Sequence, residues 1–226
     1  GITPGKTMPA VRRATLHGIR LDVSGLSSMM KNHILQQRYE QQECMLARKV
    51  LQPEDVVLEL GGAIGFIGLF CRLILRVRHH VSVEPNPKTI AMLRRNYDLN
   101  HLQPQLIEAA ASATDGRLKL DISGEFWENS LVSRSRDDSG EIEVPTMSLP
   151  SLVAAMPASP TALICDIEGA ETHLDFCQVP RTVKHIIIEL HPSIAGEEAA
   201  DRVARDIESQ GFRLIERQEN TWLFRR

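Results

Sequence analysis

The sequence predicts an α/β fold, a parallel sheet whose strands are joined by crossover helices. Three observations carry this. Beyond Pro53, short β-branched runs alternate with helical stretches. The first run, Val56-Val57-Leu58-Glu59-Leu60, leads straight into a glycine-rich turn, and acidic side chains stand at the ends of several later runs. Open parallel sheets bind ligands at the carboxyl ends of their strands, so the last two observations also predict where a site lies.

The elements follow in order. Residues 1–9 hold two prolines and two glycines and read as a loose tail. Alternating apolar residues from Ala14 to Val23 predict a small hairpin or edge strand, and helical spacing runs from about Ser28 to Leu51. Strands are expected at Val56–Leu60, His80–Glu84, Gln105–Ala110, Ala162–Asp166 and Val183–Leu190. Helices are expected between them at Ile64–Arg76, Pro87–Leu99, Leu149–Met156 and Gly169–Cys177. Pro87 suits a first helical turn, where a backbone N–H has no partner to lose. Between Leu118 and Thr146 the alternation breaks, which predicts a mobile loop, centred on 133–140, between two short strands. A last helix near Glu197–Ser209 ends at Gly211, and Phe212–Glu216 with Thr221–Arg225 reads as a hairpin. The expected organisation is a tail, hairpin and covering helix over 1–51, then one globular unit over 52–226.

Composition narrows the function classes. The 226-residue length suits one α/β domain, and a net charge of -3 supplies no field for phosphate backbones, so no nucleic-acid partner is expected. At 4% aromatic the chain is also poor in stacking platforms for bases. Cys44, Cys71, Cys165 and Cys177 form no Cys-x-x-Cys pair, which disfavours a zinc site or disulfide framework and suits a reducing, cytoplasmic location. The apolar stretches Phe66–Leu75 and His185–Leu190 are too short to span a bilayer, so no membrane association is expected.

The chemistry starts at the first turn, Glu59-Leu60-Gly61-Gly62-Ala63-Ile64-Gly65. Gly61 can take positive φ, the bare backbone of Gly61 and Gly62 admits a ligand closely, and Gly65 and Gly68 let the next helix pack tightly. Glu84, at the end of the second strand, is placed to accept hydrogen bonds from two ribose hydroxyls. A dinucleotide needs Gly-x-Gly-x-x-Gly, but Ala63 and Phe66 occupy the second and third glycine positions. Glu59 would also oppose a pyrophosphate, whereas a carboxylate favours the ammonium and sulfonium of S-adenosylmethionine.

The series Tyr39-Glu40, Val57 to Gly65 and Val83-Glu84-Pro85-Asn86-Pro87 resembles the FkbM-type methyltransferase family. Ala110-Ala111-Ser112, Asn129-Ser130-Leu131 and Val144-Pro145-Thr146-Met147-Ser148-Leu149 continue the likeness in order, and Asp166-Ile167-Glu168-Gly169-Ala170-Glu171 is similar to the family's most distinctive signature. The sequence departs from the pattern at Gly62, where Ala or another small residue is usual, and at Cys165, where a longer residue is common. The resemblance implies a seven-stranded, mostly parallel Rossmann-like sheet with helices on both faces and an antiparallel C-terminal strand. It further implies S-adenosylmethionine as cofactor and methylation of a hydroxyl on a small-molecule acceptor, a secondary metabolite or sugar. Glu59, Gly61 and Gly65 would line the methionine part, Glu84 the ribose, and Ala110 or Ala111 the adenine. Gly62, Ala63 and Pro85 join the cofactor contacts as members of the same turns.

Asp166 and Glu168 follow the fourth strand, and Glu189 and His191 the fifth, so all four are expected beside the reacting methyl group. His191 is the expected base, oriented by Glu189 or Glu168, with Asp166 and Glu168 positioning substrate or cofactor. These four are also donors that magnesium or manganese accepts, but sequence spacing does not establish that they meet, so a divalent metal is an open but not a favoured reading. Tyr39 and Trp127 flank the expected cleft, as covers for ligand or as core. The competing functions are an N-methyltransferase of the same fold, weakened by the absence of an Asn/Asp-Pro-Pro-Tyr/Phe motif, and a non-catalytic cofactor-binding domain.

Overall fold

The computed structural model describes residues 11–122 and 140–226. The expected tail, Trp127, Asn129-Ser130-Leu131 and all but Gly140 of the 133–140 loop lie outside the described residues. A hairpin of β1 (Arg13–Leu16) and β2 (Ile19–Asp22) is followed by α1 (Ser28–Leu35) and α2 (Gln41–Val50). The central sheet takes β3 (Val56–Leu60), β4 (His79–Val83), β5 (Gln105–Ile107), β9 (Ala162–Cys165), β10 (His185–Glu189), β11 (Arg213–Gln218) and β12 (Thr221–Arg225). Their order is β11-β12-β10-β9-β3-β4-β5, with β12 antiparallel to both neighbours and the rest joined in parallel. A second sheet of three strands joins β6 (Ala110–Ala111), β7 (Gly116–Asp121) and β8 (Glu141–Met147).

The pattern of β3 explains its place. All five residues are buried, as a central parallel strand covered on both faces requires. Successive side chains feed opposite cores: Val57, Ile164 and Ile187 pack with Leu46, Phe66 and Phe70, whereas Leu58, Leu163 and Ile186 pack with Leu152, Ile207 and Phe224. The helices on the two faces are α3 (Phe66–Leu69) with α4 (Pro87–Leu99), and α5 (Leu149–Ala154) with α7 (Glu197–Ser209). The glycines expected to permit tight packing do so: a Cβ on Gly68 would lie 2.2 Å from Tyr97 Oη and 2.7 Å from His80 Cε1.

Four expectations change. The helix expected from Ser28 to Leu51 breaks at Gln36–Glu40, where Gln37 and Glu40 take φ of 59° and 53°. The strand expected from Gln105 to Ala110 splits, because β5 leaves the central sheet at Ile107 and β6 pairs with β8 instead. The helix after Phe66 continues as a π-turn over Phe70–Ile74 and stops before Arg76 at φ 61°. The helix expected at Gly169–Cys177 is absent, replaced by two single 3-10 turns, Ala170–His173 and Phe176–Gln178. Glu168 and Gly169 at φ 52° and 91° send the chain out of register for an α-helix, and Asp175 caps the second turn by accepting from Cys177 N. A short helix not expected from sequence, α6 (Pro192–Ala195), starts directly after His191. No helix among the described residues is long and apolar enough to cross a membrane.

Candidate functional site

A cavity of about 260 Å³ opens at the carboxyl ends of β3, β4, β9 and β10, room for a small molecule rather than a few waters. One side is made by Gly61, Ala63, Glu84, Pro85 and Ala109 to Ala111. The other is made by Glu40, Glu43, Asp166, Glu168 and Glu189. Tyr39 borders the cavity and also packs against Phe66, the ring centroids 5.7 Å apart and the planes tilted by 56°, so it serves both the core and the wall.

On the first side, Gly61 and Gly62 each donate a backbone N–H to Val83 O, at 2.9 and 3.1 Å, which ties the turn to the end of β4. Gly61 has φ 89°, and a Cβ there would stand 1.9 Å from the Asp166 carbonyl oxygen, so the turn lies directly against the end of β9. Glu84 is nearly buried, and its two oxygens accept from Ala63 N and Asn86 N, both at 3.1 Å. Burial pushes its carboxyl up to about 7 against these two N–H donors. Each oxygen can accept more than one hydrogen bond, so the group keeps capacity for a vicinal diol. Ala109, Ala110 and Ala111 with Leu120 supply a low apolar wall beside it.

Three residues expected on this side are elsewhere. Glu59 is buried beneath the turn, where its carboxylate accepts from Ser82 Oγ at 3.0 Å and stands 3.0 Å from His80 Nε2. It borders only a small secondary space of about 10 Å³. Gly62 and Gly65 do not border the main cavity; a Cβ on Gly62 would meet Ser82 Cβ at 2.9 Å, and Gly65 heads α3 at φ 88°. Their work is to fit the turn between β4 and α4.

On the second side, strand ends bring together Asp166, Glu168, Glu189 and His191 as expected. His191 Nε2 stands 3.4 Å from Asp166, 3.5 Å from Glu168 and 3.7 Å from Glu189. The partner that holds the ring was missed: Glu171, which is 1% exposed, accepts from His191 Nδ1 at 2.8 Å and from His191 N at 3.0 Å. Burial would lower the ring's pKa, but the hydrogen bond and charge of Glu171, aided by Glu168 and Glu189, lift it to about 9. A ring raised in this way is expected to be an imidazolium at neutral pH, and it lies behind the carboxylates rather than in the cavity lining. Glu189 is raised to about 7 by burial and by Glu43, and Asp166 well above its ordinary range by burial, Glu189 and Glu40. A carboxyl raised to near neutral pH is thus found in the cluster.

Glu40 and Glu43 were also missed as members of this group. The signal that could have found Glu43 is its place on the buried stripe of α2 with Leu46 and Ala47, where a carboxylate needs a partner; it accepts from Thr221 Oγ1 at 3.1 Å. Donor atoms of Asp166, Glu189 and His191 lie within 4.8 Å of one another, as do those of Glu40, Glu43 and Asp166. His191 sets one basic side chain against this acidic cluster from within the chain.

Residues 59–214 match the model of the methyltransferase FkbM domain. No curated protein matches the chain. Among solved structures, a ribosomal protein L11 methylase from Lactobacillus delbrueckii subsp. bulgaricus has a TM-score of 0.51 at 11% identity, covering 83% of this chain and 77% of that one. A methyltransferase FkbM from Methylobacillus flagellatus KT has a TM-score of 0.49 at 11% identity, covering 78% of this chain but 44% of its own, so this chain spans less than half of that protein. A fibrillarin from Aeropyrum pernix, solved with natively bound S-adenosyl-L-methionine, has a TM-score of 0.48 at 12% identity, covering 81% and 73%.

Proposed function

Because the chain belongs to the FkbM methyltransferase family, we propose that it transfers the methyl group of S-adenosylmethionine to a hydroxyl of a small acceptor. The observation that carries this reading is one cavity with a diol-accepting carboxylate, Glu84, on one side and a carboxylate cluster containing a near-neutral acid on the other. The bound cofactor supplies an electrophilic methyl carried on a cationic sulfur. Glu84 takes the ribose hydroxyls, Gly61, Ala63 and Pro85 form the backbone bed, and the wall at Ala110 and Ala111 takes the adenine.

The rest falls to Asp166, Glu168 and Glu189. Methylation of a hydroxyl gains most from alignment of the oxygen and removal of its proton. The pair Asp166 and Glu189 is the proton acceptor in this reading, and Glu168 orients the acceptor. A wall of five carboxylates opposes anionic acceptors, which favours neutral or cationic small molecules over nucleic acid.

Calorimetric titration with S-adenosylmethionine and S-adenosylhomocysteine tests the reading. Both are expected to bind the native protein, and neither to bind Glu84→Ala measurably at the same concentration. Absence of heat with the native protein would sink it.

A further inference from the structure

We propose that Glu171 and His191 form a positioning pair, a buried carboxylate holding an imidazolium behind the cavity wall so that this cation sets the acidic side chains of the reacting end. The inference rests on the reading that this wall is where the methyl group is transferred.

The geometry is unusually complete for Glu171. Its carboxylate is 1% exposed and accepts three hydrogen bonds: from Gly169 N at 2.9 Å through Oε2, and from His191 N and Nδ1 through Oε1. These donors come from the turn after β9 and from His191, two residues beyond β10, so one carboxylate joins two strand ends. A buried carboxylate with three N–H donors stays in place and orients what it touches. With Nδ1 committed to Glu171, the ring's only other polar atom, Nε2, faces the carboxylates that border the cavity.

Those carboxylates account for the charges around the ring. Asp166 faces it from the end of β9, Glu168 and Glu171 from the turn that follows, and Glu189 from β10. Glu40 and Glu43 of the α2 end stand behind Asp166 and Glu189. Three oxygens at 3.4 to 3.7 Å from one Nε2 are too far for ideal hydrogen bonds but near enough for a shared positive charge. Without it, like charges would splay the three acids apart. A neutral ring, with Nδ1–H on Glu171, would instead turn a lone pair toward three oxygens, which is repulsive unless one of them carries the proton.

The test needs no acceptor. In protein labelled with ¹⁵N at histidine, His191 is expected to show both ring nitrogens protonated at pH 7.5. Glu171→Gln keeps the shape and removes the charge. It should lower the ring's titration midpoint by at least one pH unit, while Glu171→Asp retains most of the native midpoint. Glu168→Gln, which alters a partly exposed neighbour, should lower it by less than Glu171→Gln. A neutral His191 ring in the native protein at pH 7.5 would overturn the proposal even if Glu171→Gln does not fold, and so would an unchanged midpoint in a folded Glu171→Gln. S-adenosylhomocysteine titration of the same native sample separates two failures. No heat there sinks the cofactor reading, whereas heat together with a neutral ring sinks only the positioning pair.

Discussion

The two sides of the cavity solve opposite electrostatic problems. At the β3–β4 side a single carboxylate, Glu84, is pinned by two backbone N–H groups. At the β9–β10 side six carboxyl groups and one imidazole ring crowd together, and contacts between side chains set much of their arrangement beside the two backbone N–H groups that hold Glu171. The first arrangement suits recognition of an invariant ligand, because backbone donors do not move. The second suits proton transfer, because its groups exchange protons with little change in shape.

The sharpest way to break this division is to mutate one residue on each side and read both functions. Glu84→Ala is expected to weaken S-adenosylhomocysteine by about 100-fold or more in calorimetry, since two hydrogen bonds to a charged group are worth roughly 3 kcal/mol or more together. Glu189→Gln should leave that affinity within about threefold, yet slow single-turnover methyl transfer by about 100-fold, the lower range for loss of a general base. Equal effects of both variants on binding would dissolve the distinction. For wild type, with Glu189 raised to about 7, turnover is expected to rise with pH through that value if it is the base.

A second test concerns what the ligand-free protein gives up to keep Glu84 buried. Its folded pKa lies near 7, above the ordinary value of 4.5, so the folded state holds a proton that the unfolded state releases between those two values. Stability from this group is therefore fully present below about pH 4.5 and falls as pH rises through 7. The loss amounts to roughly 3 kcal/mol. Glu84→Gln should accordingly melt higher than the native protein at pH 8 and no higher at pH 4.5; an identical difference at both would contradict the assignment.

The smallest expected effect is that of Gly62→Ala, which crowds Ser82 Cβ below the turn without touching the cavity. A loss of about 1 to 2 kcal/mol in denaturant unfolding is expected, with cofactor affinity nearly unchanged. A larger loss of affinity than of stability would move Gly62 back among the ligand contacts.

Much of this contrast was legible in the sequence. Four of the five parallel strands were readable because they are largely buried on both faces, whereas β5 at the sheet edge is only partly buried; the rule that ligands sit at their carboxyl ends brought Glu84, Asp166, Glu168 and Glu189 to one cavity, with His191 directly behind it. Glu171 was not legible as a partner of His191. On the expected α-helix it would have been one more acid in a first turn, and only the left-handed backbone at Glu168 and Gly169 aims it inward. The neighbours of Glu59 were hidden for a related reason: nothing local to a strand-end carboxylate shows that Ser82 Oγ and His80 Nε2, one strand over, each stand 3.0 Å from it.

Ala63, Glu40 and Glu168 all border the cavity and all hold left-handed backbone without being glycine. Such residues carry a conformational penalty on the order of 1 kcal/mol or more each. For protein engineering this sets a trap: a screen for heat tolerance would find its easiest gains by relaxing the rim to glycine, and each gain would slacken the bed under the ligand. Hardiness selected without a ligand present would therefore drift away from catalysis.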